Sequence, residues 1–323
     1  MTRKEQIAAM QKNIKSIDIN GLNGRELRLK SNDPSYKREI LLIYGHHASI
    51  ERMYGFAELF ADYGNVSLPD MPGFGGMDSF YAIGMKPTLD NYADYLASYI
   101  KLKYRNKKVT LVGMSLGFIF LTRMLQKYPE LQNKVEFMVS LVGFTHYHDF
   151  AFSNRRRLKY IMFSYLGKSR IGTAIFKETA LNPVVLKALY ARTKNAKPKF
   201  ENISKQERED AMDMEIVLWR QEDTRTWLNT ARLFLKINLC DIQIPMPVHH
   251  AYTDEDQYFD NQIVEQHMQV IYSDYIGHKI PKAGAHAPSV TADRKDAEPF
   301  VPLSLRKVLA KKGSKPSRKK AKK

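Results

Sequence analysis

Cysteine is almost absent from this chain. Cys240 is the only one in 323 residues, so no disulfide can form within it, and no C-x-x-C pair exists to hold zinc or to carry redox chemistry. A chain without disulfides suits a reducing compartment. Long apolar runs are missing too. The longest, such as residues 137–144, fall far short of a bilayer-spanning helix. The first residues, Met1-Thr2-Arg3-Lys4-Glu5-Gln6, are charged and lack the apolar stretch of a signal peptide. The expectation is a soluble, cytoplasmic protein with no stable membrane insertion. No repeat recurs at periods of about 20–50 residues, which excludes solenoids and propellers.

Acid is lacking at one place only. Residues 306–323 hold ten Lys or Arg and no Asp or Glu, a large part of a net charge of +17. Residues 311–323 have almost nothing to bury and are expected to form a disordered basic tail. No aromatic residue is interleaved there to stack on bases. The tail therefore reads first as solubilising, with weak polyanion contact (RNA, DNA or anionic lipid) as its functional reading.

The remainder is rich enough in apolar residues, at 44% of the chain, for one large core with an inserted subdomain. Apolar alternation at 14–19 and 26–30 around Asn20-Gly21-Leu22-Asn23-Gly24 predicts a hairpin. Strands are expected at 39–44, 65–68, 109–114 and 135–144. Helices are expected from about 50 to 63, over 89–104, and after 115. Alternating strands and helices imply a largely parallel sheet. From 145 to 238 only helical patterns follow, at 157–166, 183–191, 206–220 and 224–237. Alternation resumes with a strand at 247–252, a helix near 263–272, a short strand at 278–282 and a last helix near 302–309. The expected organisation is a core in two parts, 1–144 and 244–310, split by a helical insert at 145–243.

The segment Val109-Thr110-Leu111-Val112-Gly113-Met114-Ser115-Leu116-Gly117 has the form of a nucleophile elbow. An apolar strand enters a G-x-S-x-G turn, and a helical pattern leaves it. Small residues on either side of the serine let strand and helix approach closely. Ser115 is then raised at a helix N-terminus, where unpaired N–H groups can receive an oxyanion.

With that elbow the chain resembles the α/β-hydrolase family across about residues 38–310. Four segments match in order. Tyr44-Gly45-His46 stands at a His-Gly-x turn, and Asp70-Met71-Pro72-Gly73-Phe74-Gly75 at an Asp-x-x-Gly-x-Gly loop. The elbow is the third, and Ala283-Gly284-Ala285-His286 stands at a Gly-His loop. The resemblance implies a mostly parallel central sheet flanked by helices, with an inserted helical cap. It also implies a cofactor-free Ser-His-acid mechanism.

A serine needs a base to take its proton, and the base needs a carboxylate to fix its tautomer. By resemblance the triad is Ser115, His286 and Asp256, with His278 competing as base. Asp254 is the main rival acid. Asp149, after the strand ending at 144, is another, and Glu255 and Asp260 are further loop acids. Backbone N–H groups of His46 and Leu116 would form the oxyanion hole. Tyr44 in place of histidine and Ala285 between Gly284 and His286 depart from the family pattern. A Gly-Gly-Gly-Pro-Gly loop of carbon–carbon bond hydrolases is absent. Ser115 also argues against the dehalogenase and epoxide hydrolase branches, whose nucleophile is aspartate.

Metal chemistry is the weaker option. His46-His47 and His249-His250 are adjacent pairs, which in a strand face opposite ways. His146-x-His148-Asp149 could converge, but no second cluster completes a zinc set. No metal is expected. The insert's Phe150, Phe152, Tyr160, Phe163, Tyr165 and Phe176 could line an apolar pocket or simply pack the cap, and Arg155-Arg156-Arg157 could steer an anion. The expected function is a serine hydrolase, carboxylesterase- or lipase-like, acting on a small apolar acyl substrate. A non-catalytic small-ligand binder, or a nucleic-acid- or membrane-associated protein led by its tail, stands as the alternative.

Overall fold

The computed structural model describes residues 3–192, 205–281, 286 and 294–311. Its strands are β1 (Ile14–Ile19), β2 (Leu22–Leu29), β3 (Glu39–Ile43), β4 (Asn65–Pro69), β5 (Val109–Met114), β6 (Val135–Leu141), β7 (Ile244–Tyr252) and β8 (Tyr272–Lys279). The helices flanking them are α1 (Arg3–Lys12), α2 (Ile50–Phe60), α3 (Leu89–Lys103) and α4 (Leu116–Lys127). Between β6 and β7 come α5 (Asn154–Ser164), α6 (Arg170–Ala180), α7 (Pro183–Arg192), α8 (Lys205–Gln221) and α9 (Thr224–Phe234). Then follow α10 (Asn261–Ile271), the short α11 (Arg294–Ala297) and α12 (Leu303–Leu309).

All eight strands form one sheet in the order β1-β2-β4-β3-β5-β6-β7-β8. From β4 to β8 every pair is parallel, while β1–β2 and β2–β4 are antiparallel. A parallel sheet is covered on both faces, so its central strands carry no polar side. Accordingly β5 is buried at every position. This places the carboxyl ends of β3, β5, β6 and β7 along one rim, where ligands bind in open α/β sheets.

Four local expectations need correction. The hairpin turn is only Asn20-Gly21, both at positive φ, and Asn23-Gly24 already belong to β2. The helix near 263–272 stops at Ile271, and β8 starts at Tyr272 rather than at 278. As an edge strand β8 pairs only with β7, so half of it faces water and no continuous apolar run announces it. α6 has no counterpart among the expected helices, because only Thr173 of its residues is buried and its apolar side chains do not mark a core face. Lys311, assigned to the tail, closes the last helix, and its carbonyl accepts from Arg38 at 2.7 Å. The rest of the expected tail lies outside the described residues.

The two ends of the segment between β6 and β7, where the insert at 145–243 is expected, are stitched together. Tyr147 N–H donates to the Ile237 carbonyl (2.8 Å) and Leu239 N–H to that of Thr145 (3.2 Å). Within the insert, α5 and α6 pack on α9. Leu186, Ile216 and Trp219 form a small apolar cluster apart from the main core.

Candidate active site

Ser115 sits between β5 and α4 with φ 47° and ψ −115°. A non-glycine residue so far into positive φ costs of order 1–3 kcal/mol and persists only when its surroundings enforce it. Here they do. A Cβ at Gly113 would lie 2.5 Å from the Phe118 Cα, and one at Gly117 would lie 2.3 Å from the Ile43 carbonyl oxygen. Only glycine lets α4 fold back onto β5 and β3 this tightly. The Ser115 N–H is secured to the Leu141 carbonyl at 3.0 Å, which ties the elbow to β6.

The serine meets two distant side chains. Its Oγ lies 3.2 Å from His286 Nε2, and His286 Nδ1 lies 2.7 Å from Asp256 Oδ2. A carboxylate only accepts, so the Nδ1 proton points at Asp256 and Nε2 is left to accept from the serine. The Asp256 side chain is 1% exposed and that of His286 10%. The other Asp256 oxygen, Oδ1, accepts from the N–H groups of Tyr258 (2.8 Å) and Phe259 (3.2 Å). Tyr258 and Phe259 also pack against the imidazole, with ring centroids 5.3 and 5.1 Å away. The loop after β7 thus holds the acid by its backbone and walls the base with its rings. Residues 283–285, which preceded the histidine in the Gly-His resemblance, lie outside the described residues.

The rival residues have other partners. Asp254 is exposed and pairs with Lys279. Asp149, fully buried, accepts from the N–H groups of Thr145 (2.8 Å) and His146 (2.9 Å) and pairs with His267. Asp260 caps α10. Glu255 is exposed, its N–H on the Thr253 hydroxyl. His278 lies inside β8 between His249 (3.0 Å) and Ser304 (2.9 Å). His250 turns the other way, onto Ser140 at 2.8 Å, so the adjacent pair faces opposite sides of the strand.

Among the described residues, neither the Leu116 nor the His46 N–H has a hydrogen-bond partner. Gly45, before His46, is pressed against the serine, where a Cβ would lie 3.1 Å from that of Ser115. The His46 side chain points away into the insert. Its Nε2–H donates to the Trp227 carbonyl (3.1 Å), and its ring lies 4.9 Å from that of Trp227. Burial lowers its pKa to about 3, so the ring is neutral at pH 7.

His47 carries a feature that no single motif announces. Its Nδ1 lies 2.8 Å from Glu222 and its Nε2 2.9 Å from Glu215. Carboxylates on both nitrogens require both protons, so the ring is an imidazolium. Burial works against this charge, but the two glutamates prevail and raise the pKa to about 9. His47 thereby bolts the loop after β3 to the end of α8. Glu215 and Glu222 are seven residues apart, two helical turns, and that spacing was the legible signal.

The linkage has a definite sign. The folded pKa stands above the unfolded value, so the stabilisation is complete below about pH 6.5 and is lost as pH rises through about 9. On the order of 2–3 kcal/mol should disappear across that window. The difference in unfolding free energy between the wild type and His47→Gln should shrink accordingly between about pH 6.5 and about pH 9.5 in urea titrations. A constant difference contradicts the ion triad.

Tyr44, the departure from the family pattern, has its own task. Its hydroxyl donates to Asp70 Oδ1 (2.9 Å) and accepts from the Met71 N–H (2.8 Å). Asp70 also takes Arg25 Nε (2.6 Å) and the N–H groups of Ile50 (3.0 Å) and Gly76 (2.9 Å). The 70–75 loop is thus locked to the end of β3.

Of the expected metal convergence, His146 and Asp149 do come together, but with His267 rather than His148. Several of the donor atoms are already engaged. Both Asp149 oxygens hold protein partners, and His146 Nδ1 accepts from the His148 N–H at 3.1 Å. A cavity of about 500 Å³ beside this cluster is lined by residues such as Tyr147, His148, Arg157 and His267, and none of the Ser115, Asp256 or His286 side chains reaches it.

The insert's aromatics divide. Phe150 packs with Phe144 (5.3 Å) and Phe259 (4.9 Å), close to His286. Tyr160, Phe163 and Tyr165 face solvent instead.

No family model and no curated protein matches the sequence. Solved structures do. A thermophilic esterase from Thermogutta terrifontis superimposes with a TM-score of 0.62 at 12% identity, covering 93% of this chain and 100% of its own. A putative lipase from Acinetobacter baumannii gives 0.61 at 14% identity, covering 95% of this chain and 98% of its own. The epoxide hydrolase CorEH gives 0.63 at 13% identity, covering 92% of this chain and 96% of its own. At 12–14% identity these superpositions over nearly the whole chain give it the α/β-hydrolase fold.

Proposed function

We propose that the protein is a serine hydrolase acting on an ester, thioester or related acyl compound. The observation that carries this reading is the unbroken relay from Asp256 through His286 to a strained serine at the mouth of the parallel sheet. Ser115 Oγ attacks the substrate carbonyl while His286 Nε2 takes its proton. Asp256 keeps the Nδ1 proton in place and stabilises the imidazolium as it forms. The free N–H groups of Leu116 and His46 meet the tetrahedral oxyanion. The imidazolium then returns its proton to the leaving group, and water repeats the cycle on the acyl-enzyme. Every step balances with side chains and water alone.

Aromatic rings at 74, 144, 150, 234 and 259 gather near His46 and His286, which favours an apolar acyl or aryl group. In this reading the insert 145–243 serves as the cap over the rim, and His47 fixes its seat. The test is a fluorophosphonate probe followed by peptide mapping. Stoichiometric label on Ser115 is the expected result. A folded protein that stays unlabelled, yet binds a small apolar ligand, overturns the enzyme reading in favour of a receptor.

A further inference from the structure

The outer face of the insert has an unusual make-up. Of the sixteen exposed large apolar side chains among the described residues, ten fall between Leu158 and Val185. Residues 151–188 also carry eight Lys or Arg against one acid, Glu178. Single exposed apolar residues are ordinary, but such a concentration marks an interaction surface.

Helical spacing sorts these residues onto one side. In α5, Arg155, Leu158, Lys159 and Met162 follow i, i+3, i+4, i+7 and all are exposed, while Arg157, Ile161 and Ser164 take the opposite side against α9. In α6, Ile171 and Ile175 point outward one turn apart, at 75% and 59% exposure, and Thr173 points in. Aliphatic side chains and cations thus alternate across the same outward surface.

We infer that this face docks the protein onto an anionic lipid surface. Long basic side chains reach phosphate headgroups, while Leu158, Met162, Ile171 and Ile175 enter the acyl boundary. Charge argues against a second copy as the occupant, since two such faces, each rich in Lys and Arg with Glu178 as the one acid of residues 151–188, would repel each other. The most exposed residues are aliphatic, which nucleic acids do not use for stacking. The docking is peripheral. Among the described residues no helix is long and apolar enough to cross a membrane. The inference stands apart from the hydrolase reading, because binding is measured without turnover.

The experiment is co-sedimentation of the full chain with phosphatidylcholine vesicles, with and without about a third phosphatidylglycerol. Binding to the anionic vesicles only, weakening with salt, is the expected result. Each cation near an anionic surface contributes roughly a fivefold factor, so Arg155→Glu with Lys159→Glu should lower vesicle affinity by at least about tenfold. Ile171→Ser with Ile175→Ser should also lower it, at low and high salt alike. Circular dichroism and the thermal midpoint verify the fold of both variants. Four results overturn the docking face: no binding to either vesicle, equal binding to both, binding unchanged by the insert substitutions (which assigns it to the basic tail), or a dimer that these substitutions dissolve.

Discussion

Ser115→Ala is expected to lower ester turnover by on the order of a millionfold while the protein remains folded. In a relay of this kind the nucleophile has no substitute, and its loss costs about as much as losing the whole relay. That ratio corresponds to about 8 kcal/mol of transition-state stabilisation. The fold should tolerate the change, since alanine keeps the Cβ and every backbone hydrogen bond of the elbow. Ser115→Gly should be equally inactive but more stable than the alanine variant. At φ 47° glycine relieves strain that serine and alanine both carry. Set against the greater freedom of glycine in the unfolded chain, the net gain should be about 1 kcal/mol. Assay of both variants on a chain-length series of chromogenic esters, beside their thermal midpoints, checks both claims. Retained turnover in the purified alanine variant removes Ser115 from the mechanism.

Asp256→Asn should lower kcat by about 10⁴-fold with little change in structure. The geometry gives the reason. The side-chain carbonyl of asparagine would keep the place of Oδ1 on the N–H groups of Tyr258 and Phe259. Its amide would then stand where Oδ2 now accepts from His286 Nδ1. Two donors cannot face each other, so the imidazole would move its proton to Nε2. Nε2 would then donate to Ser115 rather than accept from it, and the base would be lost. Asp254→Asn and Asp149→Asn supply the contrast, since neither carboxylate touches His286. Activity close to wild type in Asp256→Asn, with a loss in either of the others, would reassign the acid.

Some of the molecule could be read along the chain because its signal is local. Central strands such as β3 and β5 are buried on both faces and appear as continuous apolar runs. The elbow was legible because glycine two residues before and after the serine answers a steric demand within nine residues of chain. Edge elements were less legible. β8 pairs on one side only, and α6 turns its isoleucines to water, so neither carries a core-facing period.

The choice among acids shows the same boundary. Asp254, Asp256 and Asp260 stand in one short loop with similar neighbours in sequence. Only the folded loop turns Asp256 towards the imidazole, gives Asp254 to Lys279 and makes Asp260 a helix cap. The imidazolium of His47 belongs to the same class, since its two glutamates are more than 160 residues away along the chain.

Sequence alone determined the alternation of strands and helices, the strained turn and the residue types that could pass a proton, because each depends on neighbours a few positions apart. Tertiary structure decided which carboxylate meets the histidine, which histidine is held charged at neutral pH and which side of the insert faces water. Those outcomes depend on distance through space and on exclusion of solvent, and neither is set by position along the chain.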